Sequence, residues 1–268
     1  MSTKNLGKIN KSNIIKMKTE IKNIIRPFYR TLKTSYFYVL YLKDFYVFKK
    51  KSDKRFRLSF LDRFPQLHDK TLFTPFDTHY VYHPAWAARI VKKINPQFHV
   101  DISSTLHFCT ILSAFIPVKF YDYRPAELHL SNLTNEKADL TKLFFNNNSI
   151  QSISCMHTIE HIGLGRYGDQ IDPEGDLKAI NELKRVTAIG GTLLFVIPIT
   201  GIPTIMFNAH RIYSYEQIIK YFEGFELKKF SLVPNTYKGI NFIENATKED
   251  ANKQTYGCGC FWFVKKYG

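Results

Sequence analysis

Short apolar runs and amphipathic segments alternate along the chain after residue 95. Runs typical of β-strands lie at 98–103, 118–124, 149–155 and 192–199. The last of these, TLLFVIPI, is almost entirely apolar, as expected of a parallel strand that is buried on both faces. Segments 105–115 and 175–188 carry apolar residues at helical spacing. This alternation predicts a parallel sheet covered by helices.

The same pattern continues to the C-terminus and begins before the first strand. Gly190-Gly191 predicts the end of the helix over 175–188, and SYEQIIKYF, FELKKFSLV and GCFWFVKK predict a helix and two strands. Upstream, Pro84 followed by AWAARIVKKI predicts a helix with the proline near its first turn. The neighbouring His79, Tyr80 and Trp86 are more typical of packing than of chemistry.

The first 57 residues differ from the rest of the chain in charge. They contain 16 Lys/Arg and 3 Asp/Glu, so that +13 of the formal net charge of +15 lies there. Nine aromatic residues lie among basic ones between Phe28 and Phe48, and Pro27 predicts a break between two helices. We therefore predict a basic, aromatic-rich helical arm at 1–73 and an α/β domain at 74–268.

Three uses of this arm fit its composition. Residues 1–57 could lie on an anionic membrane surface, with aromatic rings down and lysines at the headgroups. The rings could instead stack on nucleic acid bases, or pack onto the body or onto a second copy in a homodimer. Nucleic acid is the least favoured of these three uses of the arm.

The cysteines and the apolar runs predict a cytoplasmic protein. Four cysteines (Cys109, Cys155, Cys258 and Cys260) are too few and too scattered for a disulfide framework. The pair Cys258-x-Cys260 could be half of a metal site, but no second half is visible, and a late strand, CGCFWFVKK, is the favoured interpretation. No signal peptide and no run of about 18 to 20 apolar residues is recognisable. The predicted location is the cytoplasm, at the inner membrane surface if the arm binds lipid.

Acidic residues follow the predicted strands where a nucleoside would bind. In open α/β sheets, ligands lie beyond the carboxyl ends of the strands. The first strand ends at Asp101-Ile102-Ser103-Ser104, and Asp122 ends the second strand 21 residues after Asp101, in place to bond both ribose hydroxyls. Asp139, just before the strand predicted at 149–155, could accept a hydrogen bond from the exocyclic amine of an adenine. Together these positions predict a nucleoside cofactor.

This order of motifs resembles the class I S-adenosylmethionine-dependent methyltransferases. The matching segments are VDISS, FYDYRP, ADLTKLFF, SIQSISCMHTIEH and ELKRVTAIGGTLLFVIP, and the resemblance covers about residues 96–268. TPFDTHYVYHPAWAAR, HVDISS, FYDYRP and IEHIGLGRYGDQIDPEGDLKAI resemble more narrowly a methyltransferase-like group known as domain of unknown function 268. The resemblance implies a Rossmann-like three-layer sandwich whose seven-stranded sheet is mostly parallel with an antiparallel last strand.

The resemblance also implies S-adenosyl-L-methionine as the cofactor. The positions that it assigns to cofactor binding are Asp101, Ser103, Ser104, Asp122, Asp139, Leu140, Cys155 and Met156. The chain departs from the usual pattern in its first loop, where Ser103, Thr105 and His107 stand in place of glycines that allow a positive φ and close approach to the ligand. Gln151 is a second departure, because many relatives have Asp there.

The stretch CMHTIEH contains His157, Glu160 and His161 in an H-x-x-E-H spacing. On a helix, the two histidines would share a face and could hold zinc as in an inverted zinc peptidase. The preceding SIQSISC predicts a strand, which favours a catalytic acid/base cluster at a strand end, with His157 closest to the methyl group and His161 second. A role in merely capping the loop is the third interpretation.

Residues that could bind an acceptor follow in two loops. Arg166 and Asp169 lie in a glycine-punctuated loop, and His210, Arg211 and Tyr213 lie after the fifth strand, where a substrate lid is common in such enzymes. Ser214 with Gln217 predicts a helix N-cap at the end of that segment. Arg211 could pair with a phosphate or carboxylate.

Three functional hypotheses follow. The first is methyl transfer from S-adenosylmethionine to a small polar acceptor, such as a sugar hydroxyl in the biosynthesis of a surface glycan. The second is a non-catalytic Rossmann-like binding module that is anchored by its basic arm. The third is a zinc hydrolase that uses His157, Glu160 and His161.

Overall fold

In the computed structural model, the structure describes residues 11–53, 55–235, 239 and 241–267, with side chains from residue 25 onward. The chain divides into two compact units, Met1–Pro75 and Phe76–Gly268. Each unit is described separately below.

The first unit is built on one long helix, α1 (Lys11–Lys51). The expected division at Pro27 is wrong, since Pro27 lies inside this helix. A proline removes one backbone hydrogen bond, and the turns on either side of it can still continue the helix. The segment after the helix packs back on it, with the Phe45 and Phe60 ring centroids 5.6 Å apart and an ion pair between Lys70 and Asp44.

Many aromatic side chains of α1 remain exposed, among them Phe28, Tyr29, Tyr36, Tyr46 and Phe48. Three lysines, Lys49, Lys50 and Lys51, form its last turn. Within the described residues, no helix is long and apolar enough to span a membrane.

The second unit alternates strands and helices. Its elements are α2 (Thr78–Ile94), β1 (His99–Ile102), α3 (Leu106–Leu112), β2 (Val118–Asp122), β3 (Leu133–Lys137), β4 (Ile150–Met156), a 3-10 helix (Ile159–His161), α4 (Gly175–Val186), β5 (Thr187–Ile199), β6 (Thr204–Met206), β7 (His210–Ile212), α5 (Tyr215–Tyr221), β8 (Phe225–Val233), α6 (Lys248–Asn252) and β9 (Gly257–Lys265).

The sheet has seven strands in the order β3-β2-β1-β4-β5-β9-β8. All neighbours pair in parallel except β9, the last strand, which is antiparallel to both β5 and β8. The predicted Rossmann-like sheet is therefore confirmed. The chain leaves β1 toward one edge and returns to its other side with β4, so strand order reverses between β1 and β4. Ligands bind at such a switch point in open α/β sheets.

Alternate residues of β5 belong to two separate apolar cores. Leu193 and Phe195 pack with α4 and α5, whereas Leu194 and Val196 pack with α2 and α3. Successive side chains of a strand point to opposite faces of the sheet. The sheet is thus covered on both faces, which gives the three-layer sandwich that was predicted.

Helix α2 begins well before the position that Pro84 indicated. Its N-cap is Asp77, whose side chain accepts a hydrogen bond from the Tyr80 backbone N–H at 3.2 Å, and Pro84 lies inside the helix. Capping by an aspartate satisfies a backbone donor of the first turn, so the helix starts there rather than at the proline. As a result, His79, Tyr80 and His83 lie on the first two turns of α2.

The glycine pair does not end helix α4 as expected. The helix ends at Val186, and Gly190 and Gly191 lie within β5, where the pairing with β4 shifts register. A Cβ atom on Gly191 would lie 2.8 Å from the Ala188 carbonyl oxygen, so this close backbone approach requires glycine.

Candidate active site

The loop after β1 takes the backbone conformation that glycine usually provides. Ser103 has a φ of +54°, and its N–H donates to the Tyr121 carbonyl at 2.7 Å. Thr105 caps α3, and the Ser104 hydroxyl accepts from the Met156 N–H at 3.2 Å. The loop is therefore held between β2 and β4 in a left-handed turn, although a serine stands at this position.

A cavity of 260 Å³ lies beside this turn. Its lining includes three predicted cofactor residues (Ser103, Asp139 and Leu140), one predicted catalytic residue (His161) and one predicted substrate residue (Asp169). Tyr123, Thr141, Tyr167, Gln170 and Asp172 complete much of the wall. The structure thus brings three of the expected cofactor residues and part of the expected acceptor site to one cavity.

The other predicted cofactor residues do not line this cavity. Asp101, Cys155 and Met156 are fully buried in the sheet, and Ser104 is buried in the loop. Asp122 ends β2 next to the lining residue Tyr123, and its Oδ1 accepts from the Arg124 N–H at 2.7 Å. Asp122 therefore lies at the expected strand end, while the buried residues contact other parts of the protein.

Asp101 belongs to a buried chain of hydrogen bonds between β1 and β4. The Ser154 hydroxyl donates to Asp101 Oδ1, His99 Nε2 lies 2.9 Å from Ser154 Oγ, and His99 Nδ1 lies 2.7 Å from Ser152 Oγ. Burial raises the pKa of Asp101 to about 7, although the Ser104 and Ser154 hydroxyls act against this, and burial lowers the pKa of His99 to about 3.

His157 and Glu160 form a close buried pair. His157 has a φ of +56° directly after β4, and its Nδ1 lies 2.8 Å from Glu160 Oε1. A carboxylate accepts, so Nδ1–H donates and Nε2 keeps its lone pair. Because β4 ends at Met156 and only a 3-10 helix follows, His157 and His161 do not share the face of an α-helix. The helix on which the zinc-peptidase arrangement depends is not formed.

His161 differs from His157 in its surroundings. Its Nδ1 lies 2.7 Å from the Ala209 carbonyl oxygen and 3.2 Å from Arg166 Nη1, which itself donates to that carbonyl at 2.9 Å. Because the carbonyl only accepts and lies closer, we assign the hydrogen of the neutral ring to Nδ1, which leaves Nε2 as the acceptor nitrogen. Nε2 lies 3.9 Å from Glu160 Oε1, and the His161 side chain lines the cavity.

Aromatic side chains enclose His157 instead. The ring of His79 is stacked on it at 5.6 Å between centroids, that of Tyr80 at 5.3 Å, and His83 approaches edge-on at 5.0 Å. Burial, with the neighbouring His157 ring as the second cause, lowers the pKa of His79 to about 4. His79, Tyr80 and His83 thus pack around His157, and packing is the role that the sequence favoured for His79 and Tyr80.

The predicted substrate residues after β5 mostly hold the loop over 162–176. Arg211 is buried and donates to the carbonyls of Ile162 at 2.6 Å and Pro173 at 3.2 Å. The Tyr213 hydroxyl donates to Asp176 Oδ2 at 2.7 Å, and burial together with Asp176 raises its pKa. Arg211 and Tyr213 also line a second, separate concavity of 350 Å³.

The remaining substrate candidates lie nearer the first cavity. Arg166 donates to the Ala209 carbonyl at 2.9 Å, and Asp169 Oδ2 accepts from the Gly163 N–H at 2.7 Å. The His210 ring lies 6.4 Å from that of His161, and burial lowers its pKa.

Two further aromatic residues of the site, His83 and Tyr256, were not found from the sequence. The Tyr256 ring lies 5.4 Å from that of His79 and 5.0 Å from that of His210. The spacing of His79 and His83, which places both on one face of a helix, was the available signal. It becomes readable only once the helix is known to start at Asp77.

A sequence comparison assigns the chain to a family. Residues 123–257, half of the chain, match the family described as Caenorhabditis protein of unknown function, DUF268. The chain belongs to the DUF268 family. No curated protein matches this DUF268 chain in sequence.

Several solved structures are similar to this DUF268 chain. They include the 1,6-didemethyltoxoflavin-N1-methyltransferase of Burkholderia thailandensis, bound to 1,6-didemethyltoxoflavin and S-adenosylhomocysteine, at a TM-score of 0.49 and 10% identity over 69% of this chain and 79% of that chain. The N-methyltransferase NodS of Bradyrhizobium japonicum, in complex with S-adenosylhomocysteine, has a TM-score of 0.47 and 12% identity over 69% and 86%. The YcgJ protein of Bacillus subtilis has a TM-score of 0.46 and 14% identity over 69% and 100%.

Proposed function

We propose that this protein transfers a methyl group from S-adenosylmethionine to a hydroxyl group of a small polar acceptor. The observation that supports this most is the shared cavity at the switch point of the sheet. Its lining contains Ser103, Asp139 and Leu140, which we assign to the nucleoside, and His161 with Asp169, which we assign to the acceptor.

The residues around the cavity fit the cofactor. The left-handed turn at Ser103 gives the β1 loop the conformation that a glycine would give. We assign Asp122, at the end of β2, to the ribose hydroxyls, and Asp139 with Leu140, in the cavity lining, to the adenine. When bound there, S-adenosylmethionine would supply a methyl group on a positively charged sulfur.

We assign the general base to His161 rather than to His157. An acceptor hydroxyl must lose its proton as its oxygen attacks the methyl carbon, and that proton passes to Nε2 of His161. Glu160 Oε1, 3.9 Å from this nitrogen, stabilises the imidazolium that forms. His157 would be the alternative base, but it is enclosed by His79, Tyr80 and His83 and does not line the cavity.

Calorimetry with S-adenosylhomocysteine tests the cofactor directly. We expect saturable binding with one site per chain. No heat at millimolar ligand overturns the proposed methyl transfer and favours the non-catalytic binding module.

The acceptor that we propose is a sugar hydroxyl of a surface glycan or of its precursor. Polar residues of the cavity lining, Thr141, Gln170 and Asp172, suit a ligand rich in hydroxyl groups. A panel of sugars and of matched alcohols without a ring tests this class. Methylation of the alcohols alone rejects the sugar assignment while leaving methyl transfer intact.

We further propose that the protein acts in the cytoplasm and that residues 1–57 contact an anionic membrane surface. The charge of +13 and the exposed aromatic rings of α1 support this contact. Homodimer formation through the arm is a competing use of the same rings. Light scattering of the intact chain without lipid distinguishes a dimer from a monomer.

A further inference from the structure

Three potential metal ligands from distant parts of the second unit meet beside the cavity-lining histidine. His79 comes from the first turn of α2, His157 directly follows β4, and Cys258 lies in β9. Their ligand atoms all lie within 4.8 Å of one another. We propose that these three side chains bind a zinc ion.

The state of His157 is the first argument. Its side chain is 4% exposed, and its Nε2 is buried without a hydrogen-bond partner among the described residues. Leaving such an atom unpaired is costly in a folded protein. A metal ion at Nε2 would satisfy it.

Glu160 is the second argument. Its Oε1 lies 2.8 Å from His157 Nδ1, so that the carboxylate orients the ring and leaves Nε2 as the nitrogen with a lone pair. Histidines that bind metals commonly donate their other ring N–H to a carboxylate, which fixes the tautomer and increases the basicity of the ligand. The pair therefore already has the arrangement of a metal ligand and its supporting group.

The donor set decides the class of ion. Two imidazole nitrogens and one thiolate suit zinc, whereas magnesium and calcium prefer oxygen ligands. Zinc bonds of about 2.3 Å to sulfur and about 2.0 Å to nitrogen in a tetrahedral site separate the ligand atoms by about 3.5 Å. Binding therefore requires the three ligand atoms to approach one another by about 1 Å. Rotation of His79, which is only partly buried, can supply much of this movement.

Three protein ligands leave a fourth position free. Zinc sites with an open position are typical of catalytic rather than structural zinc. His83, one turn beyond His79, has a buried Nε2 without a partner among the described residues, and Cys260 Sγ lies 3.9 Å from Cys258 Sγ. Both are close to these ligands, but the group found among the described residues with all ligand atoms within 4.8 Å of one another is His79, His157 and Cys258.

This site differs from the H-x-x-E-H arrangement that the sequence suggested. It uses His157 but replaces His161 by His79 and Cys258, and Glu160 supports a ligand instead of activating water. Of the pair Cys258-x-Cys260, only Cys258 takes part, and its partners are the two histidines. His161 remains free to act as a base.

Metal content and cobalt spectra of the intact protein test the proposal. After loading with Zn²⁺ and removal of free ion, we expect about one equivalent per chain. Replacement by Co²⁺ should give the visible bands of tetrahedral cobalt and a near-ultraviolet band from the thiolate. Less than about a tenth of an equivalent of zinc, or cobalt spectra without a thiolate band, overturns the site.

Variants assign the ligands. Cys258→Ser should abolish the thiolate band, while Cys109→Ser, which changes a buried cysteine on α3, should retain it.

The other two variants are measured by their affinity for Co²⁺. For Glu160→Gln we expect a loss of about 10 to 100-fold, and His79→Ala, at a partly buried position, should weaken Co²⁺ binding at least as much. If Cys258→Ser does not fold, as judged by circular dichroism, these two variants decide: unchanged Co²⁺ affinity in both rejects the site. None of these measurements contains S-adenosylmethionine, so their failure is separate from that of the proposed methyl transfer.

Discussion

His161 Nδ1 lies 2.7 Å from the carbonyl oxygen of Ala209. The carbonyl can only accept, and it lies closer to Nδ1 than Arg166 Nη1 does at 3.2 Å. We therefore assign the hydrogen of the neutral ring to Nδ1, which leaves Nε2 to take a proton. Ala209 directly precedes β7. The β6–β7 hairpin therefore sets which ring nitrogen of His161, 48 positions earlier in the chain, carries the hydrogen.

We predict that His161→Gln lowers kcat by roughly 10² to 10⁴-fold with little change in S-adenosylhomocysteine affinity, because it removes the base and not the cofactor site. The measurements are the rate of methyl transfer to the acceptor found in the panel and calorimetry with S-adenosylhomocysteine. His129→Gln, an exposed histidine, is the matched control. A rate unchanged within twofold means that His161 is not the base.

Asp122→Asn should weaken S-adenosylhomocysteine binding about tenfold. The amide keeps the hydrogen bond that Asp122 Oδ1 accepts from the Arg124 N–H, so the turn is retained, but a charged acceptor for the ribose hydroxyls is lost. Glu136→Gln, an exposed carboxylate on the neighbouring strand β3, should leave the affinity unchanged. Equal effects of the two variants in calorimetry would point to general electrostatics rather than to a ribose contact.

Asp101 should make the stability depend on pH. Its folded-state pKa is raised by burial from 3.8 to about 7, so its contribution is fully present below about pH 4 and is lost as the pH rises through 7. The neighbouring His99 acts in the opposite direction. Its pKa is lowered by burial from 6.5 to about 3, so its contribution is present above pH 6.5 and is lost as the pH falls toward 3.

Between about pH 4 and 6.5, the stability contribution of Asp101 decreases as the pH rises, whereas that of His99 increases. Asp101→Asn removes only the Asp101 contribution. We expect the free energy of unfolding of this variant to rise more steeply with pH than that of the wild type, by up to about 1.4 kcal/mol per pH unit. Urea unfolding at a series of pH values measures this. Parallel curves for the two proteins would show that Asp101 has an ordinary pKa.

The sequence predicted those parts of the fold that depend on local patterns. The apolar runs that became β1, β4 and β5 were recognisable because both faces of a central strand are buried. Strand β3 (LTNEK) was not located, since it lies at the sheet edge and is mostly exposed, so it carries no apolar pattern. The capping of α2 by Asp77 was hidden by the stronger signal of Pro84.

The candidate site could be predicted only in part, because some of its residues meet through contacts between segments that are distant in the sequence. Glu160 and His161 follow His157 closely, so the spacing alone brought them to attention. His79 and Cys258 reach His157 through the packing of α2 and β9, which no local pattern reveals. The choice between His157 and His161 as base depends on Ala209 and on the enclosing rings, and these contacts exist only in the folded chain.

The last turn of α1 should contribute to membrane binding if the arm contacts anionic lipid. Each lysine near such a surface contributes about 1 kcal/mol, so Lys49→Gln with Lys50→Gln should weaken binding to phosphatidylserine vesicles about tenfold or more. Lys92→Gln with Lys93→Gln, an exposed pair in the last turn of α2, is the control. Cosedimentation with anionic and with neutral vesicles measures the effect, and equal binding to both kinds of vesicle contradicts the electrostatic contact.

Two glycines of the loop after the 3-10 helix allow a test of how that loop shapes the cavity. Gly163 and Gly168 both have positive φ, at +77° and +83°, so alanine is strained at either position, by roughly 1 to 2 kcal/mol. A Cβ atom on Gly163 would lie 2.0 Å from the Asp172 carbonyl oxygen, whereas one on Gly168 would meet nothing within 4 Å. Gly163→Ala must therefore displace the cavity wall in addition to straining the backbone. We expect Gly163→Ala to lower the melting temperature more than Gly168→Ala does. In calorimetry, Gly163→Ala should also weaken S-adenosylhomocysteine binding, while Gly168→Ala should leave the affinity nearly unchanged.

Equal losses of stability and affinity in the two variants would mean that the packing of Gly163 against Asp172 does not shape the site.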